Sequence, residues 1–273
     1  MTQPEKAANP DLLTDEEFWG SYWEGLVLPK EIVRREGSHY LNQILDVFDR
    51  HLDTGDRRSV LEIGGAPGQY LAYVAKAFGH EISCLDYSDV GCQKTRDNLG
   101  MLGLRGTVYQ GDLFSSASQL PAFDVVYSLG LIEHFADLDG VVQRHLQFLK
   151  PGGLLLLGCP NLTGVYHLFL RYLAPELLSR HNLRSMRLAR WIEFERRFNL
   201  TVLFRGYVGG FEATVLDRCE RDRLLTRTLR GVARWLVRVQ NEYPNRLRVL
   251  RAFNGRLTSG YLLGVYRKPS ERS

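Results

Sequence analysis

The feature that most constrains the fold is a regular alternation of short apolar runs and longer amphipathic segments between Val60 and Cys159. The short runs are bounded by turn residues and suit buried strands, whereas the longer segments have helical spacing. The strand-like runs are "SVLEIGG", "EISCLDYS", "GTVYQGDLF", "AFDVVYSLG" and "GGLLLLGCP", and the helical ones are "QYLAYVAKAFG", "DVGCQKTRDNLG" and "LDGVVQRHLQFLKPGG". Strands that alternate with helices pair in parallel. The sequence therefore predicts an α/β protein built on a parallel sheet.

Further helices and strands are predicted on both sides of this alternation. "TDEEFWGSYWEGL" and "LPKEIVRREGSHYLNQILDVFDRHL" precede it as two helices, the first with a capping box made by Thr14 and Glu17. After Pro160 we predict a helical stretch to about Phe198, a strand in "LTVLFRGYVGG", a basic helical segment and a final strand in "GYLLGVYR". A strand that follows so long an excursion is expected to pair antiparallel at the edge of the sheet.

These elements predict a doubly wound α/β sheet of seven strands, mostly parallel with the last strand antiparallel, plus N-terminal helices and helical insertions that cover it. Along the chain we expect an N-terminal helical cap (1–55), a cofactor-binding core (56–160), a helical substrate lid (161–200) and the end of the core sheet (201–273). A basic helical segment (about 215–253) is inserted in the last part. A length of 273 residues with 44% apolar content is ample for such a core.

A glycine-rich turn follows the first predicted strand. It contains Gly64, Gly65 and Gly68, and the strand before it carries an acid, Glu62. Glycines between a parallel strand and a helix let the backbone approach a ligand closely and present free N–H groups to it. An ordinary strand-to-helix turn uses the same residue types, so this turn alone leaves both interpretations open.

Acidic residues at the ends of the next two strands favour the ligand interpretation. Asp86 ends the second strand about 20 residues further on, where a carboxylate can accept hydrogen bonds from both hydroxyls of a ribose. Asp112 ends the third strand in "GDLF", where it could meet the edge of an adenine. Because the carboxyl ends of parallel strands meet at one edge of the sheet, we expect these groups to line one crevice.

Together these residues resemble the class I S-adenosylmethionine-dependent methyltransferases. Motif I of that family is an acid followed by alternating glycines. It stands here as Glu62, Gly64, Ala66 and Gly68, with a small alanine at the middle glycine position. The resemblance extends over about 60–161 and to the last strand. It implies a Rossmann-like methyltransferase that uses S-adenosyl-L-methionine.

The resemblance also implies which residues contact the cofactor. In the family, the residues that match Glu62 and Gly64 border the methionine portion, and the residue that matches Asp86 holds the ribose. The match of Asp112 faces the adenine, and Tyr87 would flank that base. The expected cofactor contacts are Glu62, Gly64, Gly65, Ala66, Gly68, Asp86, Tyr87, Asp112, Leu113 and Ser128.

Two other classes of protein share this pattern. A dinucleotide-dependent reductase also uses a glycine-rich turn and an acid after the second strand, but it gives no reason for "GDLF" or "LIEHF". A noncatalytic cofactor-binding subunit would keep the turn without the chemistry, and nothing positive in the sequence favours it.

The segment "SLGLIEHF", residues 128–135, carries the candidate catalytic residue. An oxygen nucleophile usually needs its proton removed, and a histidine has a suitable pKa for accepting it at neutral pH. His134 is therefore the candidate general base, with Glu133 beside it as a weaker one. The alternatives are that His134 only caps the following helix or contacts the cofactor.

The cysteines predict neither a metal site nor disulfides. Cys84, Cys92, Cys159 and Cys219 show no C-x-x-C spacing and lie far apart in sequence. We expect reduced, mostly buried thiols and no metal.

Aromatic and histidine side chains of the N-terminal segment and the lid are candidates for the substrate pocket. The expected substrate contacts are Tyr22, Tyr40, Tyr166 and His181, although each of them equally suits packing of the lid. The place after the fourth strand holds "YSLGL" and lacks both the Pro-Cys pair of cytosine-C5 methyltransferases and the Asn-Pro-Pro-aromatic motif of amino-methylating nucleic-acid enzymes. Both absences argue against base methylation.

The segment between Val215 and Phe253 is strongly basic, with ten arginines against four acids, although the whole chain has a net charge of only +4. Its arginines alternate with apolar residues at helical spacing, which is typical of an amphipathic helix rather than a nucleic-acid groove. The expected apolar stripe is Leu225, Leu229, Val232, Leu236 and Val239, with Trp235 at its boundary. We therefore do not expect a nucleic-acid partner. The segment could instead make a peripheral contact with a membrane.

These observations predict a tailoring methyltransferase that acts on an oxygen or nitrogen of a small molecule, such as a natural product or a sugar- or lipid-linked intermediate. The alternative is a methyltransferase that docks on RNA or protein through the arginine-rich segment. The beginning of the chain lacks an apolar stretch behind a basic start, and a cytoplasmic protein is expected.

Overall fold

A seven-stranded sheet forms the centre of the protein in the computed structural model, which describes residues 12–14, 16–36, 38–53, 55–116, 120–213, 224–242 and 254–270. The strands are β1 (Ser59–Ile63), β2 (Glu81–Asp86), β3 (Gly106–Gln110), β4 (Phe123–Leu129), β5 (Leu149–Pro160), β6 (Thr201–Val208) and β7 (Tyr261–Arg267). Their order is β3-β2-β1-β4-β5-β7-β6. β7 is antiparallel to both of its neighbours, and the other pairs are parallel. The predicted fold class is confirmed.

The position of the last strand differs from the expected one. β7 lies between β5 and β6, so β6 rather than β7 forms the edge of the sheet. The residues of β7 from Tyr261 to Tyr266 are buried, whereas β6 begins with three exposed residues. A continuous apolar strand suits an inner position, and a half-exposed strand suits an edge. The expectation of an edge position for β7 was therefore wrong.

Nine helices and one 3-10 turn surround the sheet in the described part of the chain. The helices are α1 (Glu16–Glu24), α2 (His39–Leu52), α3 (Gln69–Phe78), α4 (Asp89–Met101), α5 (Leu138–Gln147), α6 (Val165–Leu173), α7 (Pro175–Ser179), α8 (Leu188–Arg197) and α9 (Leu224–Glu242), and the 3-10 turn is Ile132–His134.

Two details of the N-terminal helices differ from the sequence prediction. α2 begins only at His39, because the chain before it is held in an irregular conformation against α4. The Asn98 side chain there accepts a hydrogen bond from the Lys30 N–H (2.7 Å) and donates one to the Lys30 carbonyl (2.9 Å). α1 begins at Glu16, two residues after Thr14. The Thr14 hydroxyl accepts a hydrogen bond from the Trp19 indole N–H (3.0 Å), so Thr14 holds α1 through that side chain.

Apolar side chains pack on both faces of the sheet. Neighbouring residues along a strand belong to different clusters, as Val60 and Leu61 in β1 and Val125 and Val126 in β4 show. Because successive side chains of a strand point to opposite faces, each cluster covers one face of the sheet. The described cysteines 84, 92 and 159 are buried and unpaired, as expected, and Cys219 lies outside the described residues.

The chain reverses its direction of strand addition between β1 and β4. It proceeds from β1 outward to β2 and β3 and then returns to β4 on the other side of β1. In open parallel sheets a crevice forms at the carboxyl ends of the strands at such a switch point. The fold therefore places the glycine-rich turn after β1 beside the segment that follows β4. The four-part division of the chain stays a prediction.

α9 packs on the domain through part of the expected stripe, because Leu229 and Leu236 pack against the core. Ala233 and Gln240 are buried, whereas Val232 and Trp235 are 51% and 60% exposed. The Gln240 side chain accepts a hydrogen bond from the Phe211 N–H (2.8 Å) and donates one to its carbonyl (3.2 Å), which fixes the rotation of the helix. Val232 is therefore not part of the buried stripe, and the side chain of Leu225 lies outside the described set. Of the helices described, each is too short or too polar to cross a bilayer.

Candidate active site

A cavity of about 340 Å³ lies at the carboxyl ends of β1 and β4. Its floor is formed by the end of β1, the glycine-rich turn and the end of β4. Its roof is the aromatic face of α1, with the side chains of Phe18, Trp19, Tyr22 and Trp23. The remaining walls come from the lid segment, from the residue after β6 and from the beginning of β7. The switch point of the sheet is thus covered by elements that lie outside the sheet.

The glycine-rich turn requires its glycines for steric reasons. Gly64 has φ +66°, and a Cβ there would lie 2.8 Å from Leu131 Cδ1. Gly68 has φ +78°, and a Cβ there would lie 2.9 Å from Thr95 Cγ2. At Gly65 a Cβ would overlap the carboxyl group of Glu62. Because no larger residue fits this arrangement, the backbone of Gly64 and Gly65 forms the bare surface of the cavity floor.

Glu62 is a buried acid in the wall of this cavity. Its side chain is 2% exposed, and burial raises its pKa to about 8, although the Tyr127 hydroxyl and the Leu71 N–H oppose this shift. Its Oε2 atom has no hydrogen-bond partner of normal geometry among the described residues. A buried carboxyl group with an unsatisfied oxygen is stabilised by a cationic or hydrogen-bonding ligand.

The acids after β2 and β3 flank the cavity without lining it. Asp86 is 6% exposed, and its Oδ1 accepts a hydrogen bond from the Ser88 N–H (2.9 Å). Gly91 lies between Asp86, Ala66 and the ring of Trp23, so Asp86 is adjacent to the cavity wall. Asp112 is half-buried, and its Oδ1 accepts a hydrogen bond from the Phe114 N–H (2.9 Å).

The structure brings only some of the expected cofactor contacts together. Glu62, Gly64, Gly65 and Ala66 line the cavity. The expected contacts Gly68, Asp86, Tyr87, Asp112 and Leu113 do not line it, and Leu113 belongs to the apolar core beneath the sheet edge.

Ser128 requires a correction. Its side chain is fully buried, and its hydroxyl lies 2.9 Å from Nε2 of His145 on α5. Burial lowers the pKa of His145 to about 4, so this imidazole is neutral at physiological pH. The Ser128 side chain thus joins β4 to α5 and is not available to a cofactor.

Glu133 and His134 lie in the 3-10 turn after β4 and face the cavity. His134 is 5% exposed, and its Nδ1 donates a hydrogen bond to the Arg180 carbonyl oxygen (3.0 Å). Its Nε2 lies 3.9 Å from Oε1 of Glu133. Glu133 is 1% exposed, and burial raises its pKa to about 8. The turn thus presents an imidazole and a buried carboxyl group side by side.

The lid segment after α7 adds a second imidazole. The ring centre of His181 lies 4.6 Å from that of His134, and His181 Nδ1 donates a hydrogen bond to the Leu177 carbonyl oxygen (2.6 Å). The next residue fixes this arrangement, because the Asn182 N–H donates to the Glu133 carbonyl oxygen (2.6 Å). Residues that are 47 positions apart in sequence therefore meet in one site.

The aromatic roof lies directly over these groups. Trp19 contacts the His134 ring edge-on, with ring centres 5.1 Å apart, and stacks on Trp23 at 5.7 Å. Tyr22 and Tyr40, both expected substrate contacts, line the cavity, as does His181.

Tyr166 does not reach the cavity, and its expected role as a substrate contact was wrong. It is fully buried and stacks on Phe211. Its hydroxyl accepts a hydrogen bond from the Glu212 N–H (2.7 Å) and donates one to the Thr258 carbonyl (3.1 Å). Its apolar ring and polar tip hold the lid on the end of β6.

Several cavity residues were missed from the sequence, and among them are the polar or aromatic side chains of Tyr70, Arg180, Glu212 and Tyr261. Tyr70 lies in the first turn of the helix after the glycine-rich turn, and Glu212 lies two residues beyond the glycine pair that follows β6, so their positions soon after strand ends were signals that could have found them. Arg180 and Tyr261 carry no comparable local signal, because they reach the cavity through the folding of the lid and the insertion of β7.

The fold and the cavity define a Rossmann-like class I methyltransferase, and comparison with known proteins gives the family. The methyltransferase domain family Methyltransf_23 matches residues 33–214, more than half of the chain. The chain belongs to this family and is an S-adenosylmethionine-dependent methyltransferase. The reductase alternative is thereby excluded.

Several individual proteins are similar to the chain. The glycine/sarcosine/dimethylglycine N-methyltransferase of Actinopolyspora halophila is 30% identical over 113 residues, which are 40% of this chain and 20% of that protein. The chain thus matches only a fifth of the length of this relative.

Two solved structures share the fold. The S-adenosylmethionine-dependent methyltransferase of Geobacter sulfurreducens, in complex with S-adenosyl-L-homocysteine, has a TM-score of 0.53 at 18% identity, over 90% of this chain and 96% of that one. The [4+2]-cyclase SpnF has a TM-score of 0.62 at 15% identity, over 97% and 98% of the two chains. At such low identity these structures show the fold alone.

The chemistry of the cavity floor fits S-adenosyl-L-methionine, the cofactor of this family. The unsatisfied Oε2 of Glu62 suits the cationic methionine portion, and the bare backbone of Gly64 and Gly65 lets that portion come close. We expect Asp86 to hold the ribose and Asp112 to face the adenine, as the family resemblance implies.

Proposed function

We propose that the protein transfers a methyl group from S-adenosyl-L-methionine to an oxygen or nitrogen of a small molecule bound in the cavity. The observation that carries this proposal is the covered cavity, in which an aromatic roof faces Glu133, His134 and His181. A volume of about 340 Å³ falls within the range of small-molecule sites. A macromolecule would need an open surface at this place, whereas α1 covers it.

The cofactor, when bound, supplies a methyl group attached to a sulfonium, and this methyl group is transferred to the acceptor by direct displacement. The protein then has to align the acceptor atom, exclude water and receive the proton that the acceptor loses. The roof of α1 excludes water from the floor of the cavity. The rings of Trp19, Tyr22 and Tyr40 offer flat contacts that orient a substrate.

We assign His134 as the group that accepts this proton. Its Nδ1–H is held by the Arg180 carbonyl, so the neutral ring carries its lone pair on Nε2. When the acceptor atom is methylated, the proton that it loses would pass to this Nε2 atom. Glu133 Oε1 lies 3.9 Å from that atom, and a positive charge on the imidazole would favour the ionised form of this carboxyl group, whose pKa burial raises to about 8.

Of the two possible acceptor atoms, nitrogen is supported by the name of the similar protein from Actinopolyspora halophila, which is a glycine/sarcosine/dimethylglycine N-methyltransferase. Arg180 in the cavity wall offers a guanidinium to an anionic group of a substrate. Small-molecule biosynthesis in the cytoplasm is the setting in which we place the reaction.

A peripheral contact with an anionic membrane is a second part of the proposal. Trp235 and Val232 of α9 are exposed, and the exposed arginines 227, 234 and 238 lie on the same helix. This combination is typical of helices that lie on a membrane surface, and it suits a lipid-linked substrate.

A product assay tests the methyl-transfer proposal. The purified protein is incubated with a cofactor that carries a deuterated methyl group and with a panel of amines, amino acids, phenols and sugar-linked alcohols, and products are detected by mass spectrometry. We expect transfer to small amines or hydroxyls and none to RNA or protein. Transfer to RNA or protein alone would contradict the proposal.

A further inference from the structure

Glu133, His134 and His181 converge on one point in the cavity. One ligand atom from each of them, a carboxylate oxygen or an imidazole nitrogen, lies within 4.8 Å of the other two. Glu133 and His134 are buried and His181 is half-buried. Two imidazoles and a carboxylate, with the rest of the cavity beside them, are the ligand set of open transition-metal sites in proteins.

Both imidazoles are oriented in the way that metal-binding histidines are. His134 donates its Nδ1–H to the Arg180 carbonyl (3.0 Å), and His181 donates its Nδ1–H to the Leu177 carbonyl (2.6 Å). In each neutral ring the lone pair is then on Nε2. Metal-ligating histidines almost always donate their other ring N–H to such a backbone or carboxylate partner. The backbone thus fixes the tautomer of both rings.

Glu133 supplies the observation that a ligand is needed. Its side chain is 1% exposed, and its Oε2 has no hydrogen-bond partner among the described residues. A buried carboxylate oxygen without a hydrogen-bond partner is unfavourable unless a ligand satisfies it. A cation at this point would satisfy it.

We propose that Glu133, His134 and His181 bind one divalent transition-metal ion, with zinc as the best match to two nitrogens and one carboxylate oxygen. Ligand atoms about 2.1 Å from a tetrahedral ion lie about 3.4 Å from one another. The three ligand atoms, which lie within 4.8 Å of one another, would therefore have to approach one another by at most about 1.4 Å when an ion binds. A fourth position faces the cavity.

Such an ion would have a structural effect. Glu133 and His134 belong to the turn after β4, whereas His181 belongs to the lid. The Asn182 N–H already joins the two elements by its hydrogen bond to the Glu133 carbonyl. A shared ion would lock the lid over the cavity. This inference goes beyond the methyl-transfer proposal. A bound ion would occupy the Nε2 lone pair of His134 that the proposed function assigns to the proton, so the metal-loaded form and proton transfer to His134 exclude each other.

Titration of the protein with metal tests the proposal. Untagged protein is freed of metal by EDTA dialysis and titrated with ZnCl₂ by calorimetry and with CoCl₂ by visible absorption. We expect one ion per chain with a nitrogen- and oxygen-type Co²⁺ spectrum. His181→Gln should weaken binding by about tenfold or more. His167→Gln on α6, whose side chain does not line the cavity, is the matched control and should bind like the wild type.

Folding and cofactor binding of each variant are measured together with its metal binding. Glu133→Gln should also weaken binding, and circular dichroism and affinity for S-adenosyl-L-homocysteine establish whether this buried variant folds. Since His181 is only half-buried, His181→Gln decides the question if Glu133→Gln does not fold. Zinc should raise the midpoint of thermal unfolding of the wild type and of His167→Gln but not of His181→Gln.

Three results would overturn the metal site: no saturable binding by the folded wild type, equal binding by His181→Gln, or a thiolate charge-transfer band that places Co²⁺ on a cysteine. None of them bears on methyl transfer, which is assayed separately.

Discussion

The carboxyl group of Glu62 lies directly against Gly65, in the space that a Cβ atom would fill if residue 65 were any other amino acid. The acid at the end of β1 and the turn that follows it therefore depend on each other. Gly65 is required by packing as well as by ligand approach. The two interpretations of the glycine-rich turn that the sequence left open thus apply together.

Gly65→Ala should consequently damage the cofactor site. The added methyl group displaces the Glu62 carboxyl group, which is 2% exposed and has little room to move. We expect affinity for S-adenosyl-L-homocysteine to fall by about tenfold or more, with a loss of roughly 1–3 kcal/mol in stability. Calorimetry measures the affinity, and urea unfolding measures the stability. Gly100→Ala in α4, where a Cβ meets nothing within 4 Å, is the control. Unchanged binding by Gly65→Ala would contradict this packing argument.

Cofactor binding should release a proton from Glu62. Its pKa of about 8 means that the carboxyl group is mostly protonated in the empty protein at pH 7. A bound cation favours the ionised form and lowers that pKa, so binding expels a proton and the affinity rises as the pH rises toward 8. Calorimetry at pH 7 in two buffers of different ionisation enthalpy counts the protons. In Glu62→Gln the release should disappear. If Glu62→Gln releases as many protons as the wild type, the released proton comes from another group.

Asp86→Ala tests the ribose assignment. Loss of hydrogen bonds to a charged group should weaken cofactor binding by roughly 1.5 to 3 kcal/mol, which is about 10- to 150-fold. Because Asp86 also accepts a hydrogen bond from the Ser88 N–H, thermal unfolding is measured alongside. Asp89→Ala, an exposed acid in the first turn of α4, is the matched control. If Asp86→Ala binds the cofactor as tightly as the wild type, the ribose assignment is wrong.

The parts of this site that the sequence predicted are those determined by local patterns. The alternation of strands and helices placed Glu62 and the glycine-rich turn at the switch point, because strand order and crossover direction follow from that pattern. The same pattern could not predict that the side chain of Ser128, at the end of β4, has a buried hydrogen-bond partner on a helix. Ser128 meets His145, 17 residues away, on the side of α5.

Contacts between distant segments determined the rest. His181 reaches His134 only because Asn182 attaches the lid to the turn after β4, and no local periodicity reports such a hydrogen bond. The stripe of α9 was predicted only in part for a similar reason, since Leu229 and Leu236 pack on the core but Val232 does not. A glutamine at helical spacing looks solvent-exposed in sequence, yet Gln240 is 3% exposed and pairs with the backbone of Phe211.

His134→Ala tests the proton acceptor. We expect turnover to fall by roughly 100- to 10,000-fold with little change in affinity for S-adenosyl-L-homocysteine. The assay contains EDTA, so that the loss reports the imidazole itself and not a metal ion. His167→Ala, a half-buried histidine of α6, should retain full turnover. A loss confined to cofactor binding would make His134 part of the cofactor site, and full activity would remove its role as base.

The last prediction concerns α9 and the membrane. A hollow of about 230 Å³ between α9 and the chain before α2 is lined by Val237 and Gln240, and it shares Tyr40 and Glu212 with the main cavity. The buried side of α9 is therefore next to the candidate active site, while Trp235 on its other side is 60% exposed. A helix in this position could bring a lipid-linked substrate to the cavity.

We expect the protein to float with vesicles that contain anionic phosphatidylserine at low salt, and to be released at high salt, because surface attraction is screened within a Debye length. Each arginine near such a surface contributes about 1 kcal/mol. Arg234→Glu combined with Arg238→Glu should therefore abolish flotation, and Trp235→Ala should reduce it. Arg57→Glu combined with Arg105→Glu changes the net charge equally at exposed positions away from α9 and should still float. No flotation of the wild type at low salt, or an equal loss in both double variants, would show that α9 does not bind membranes.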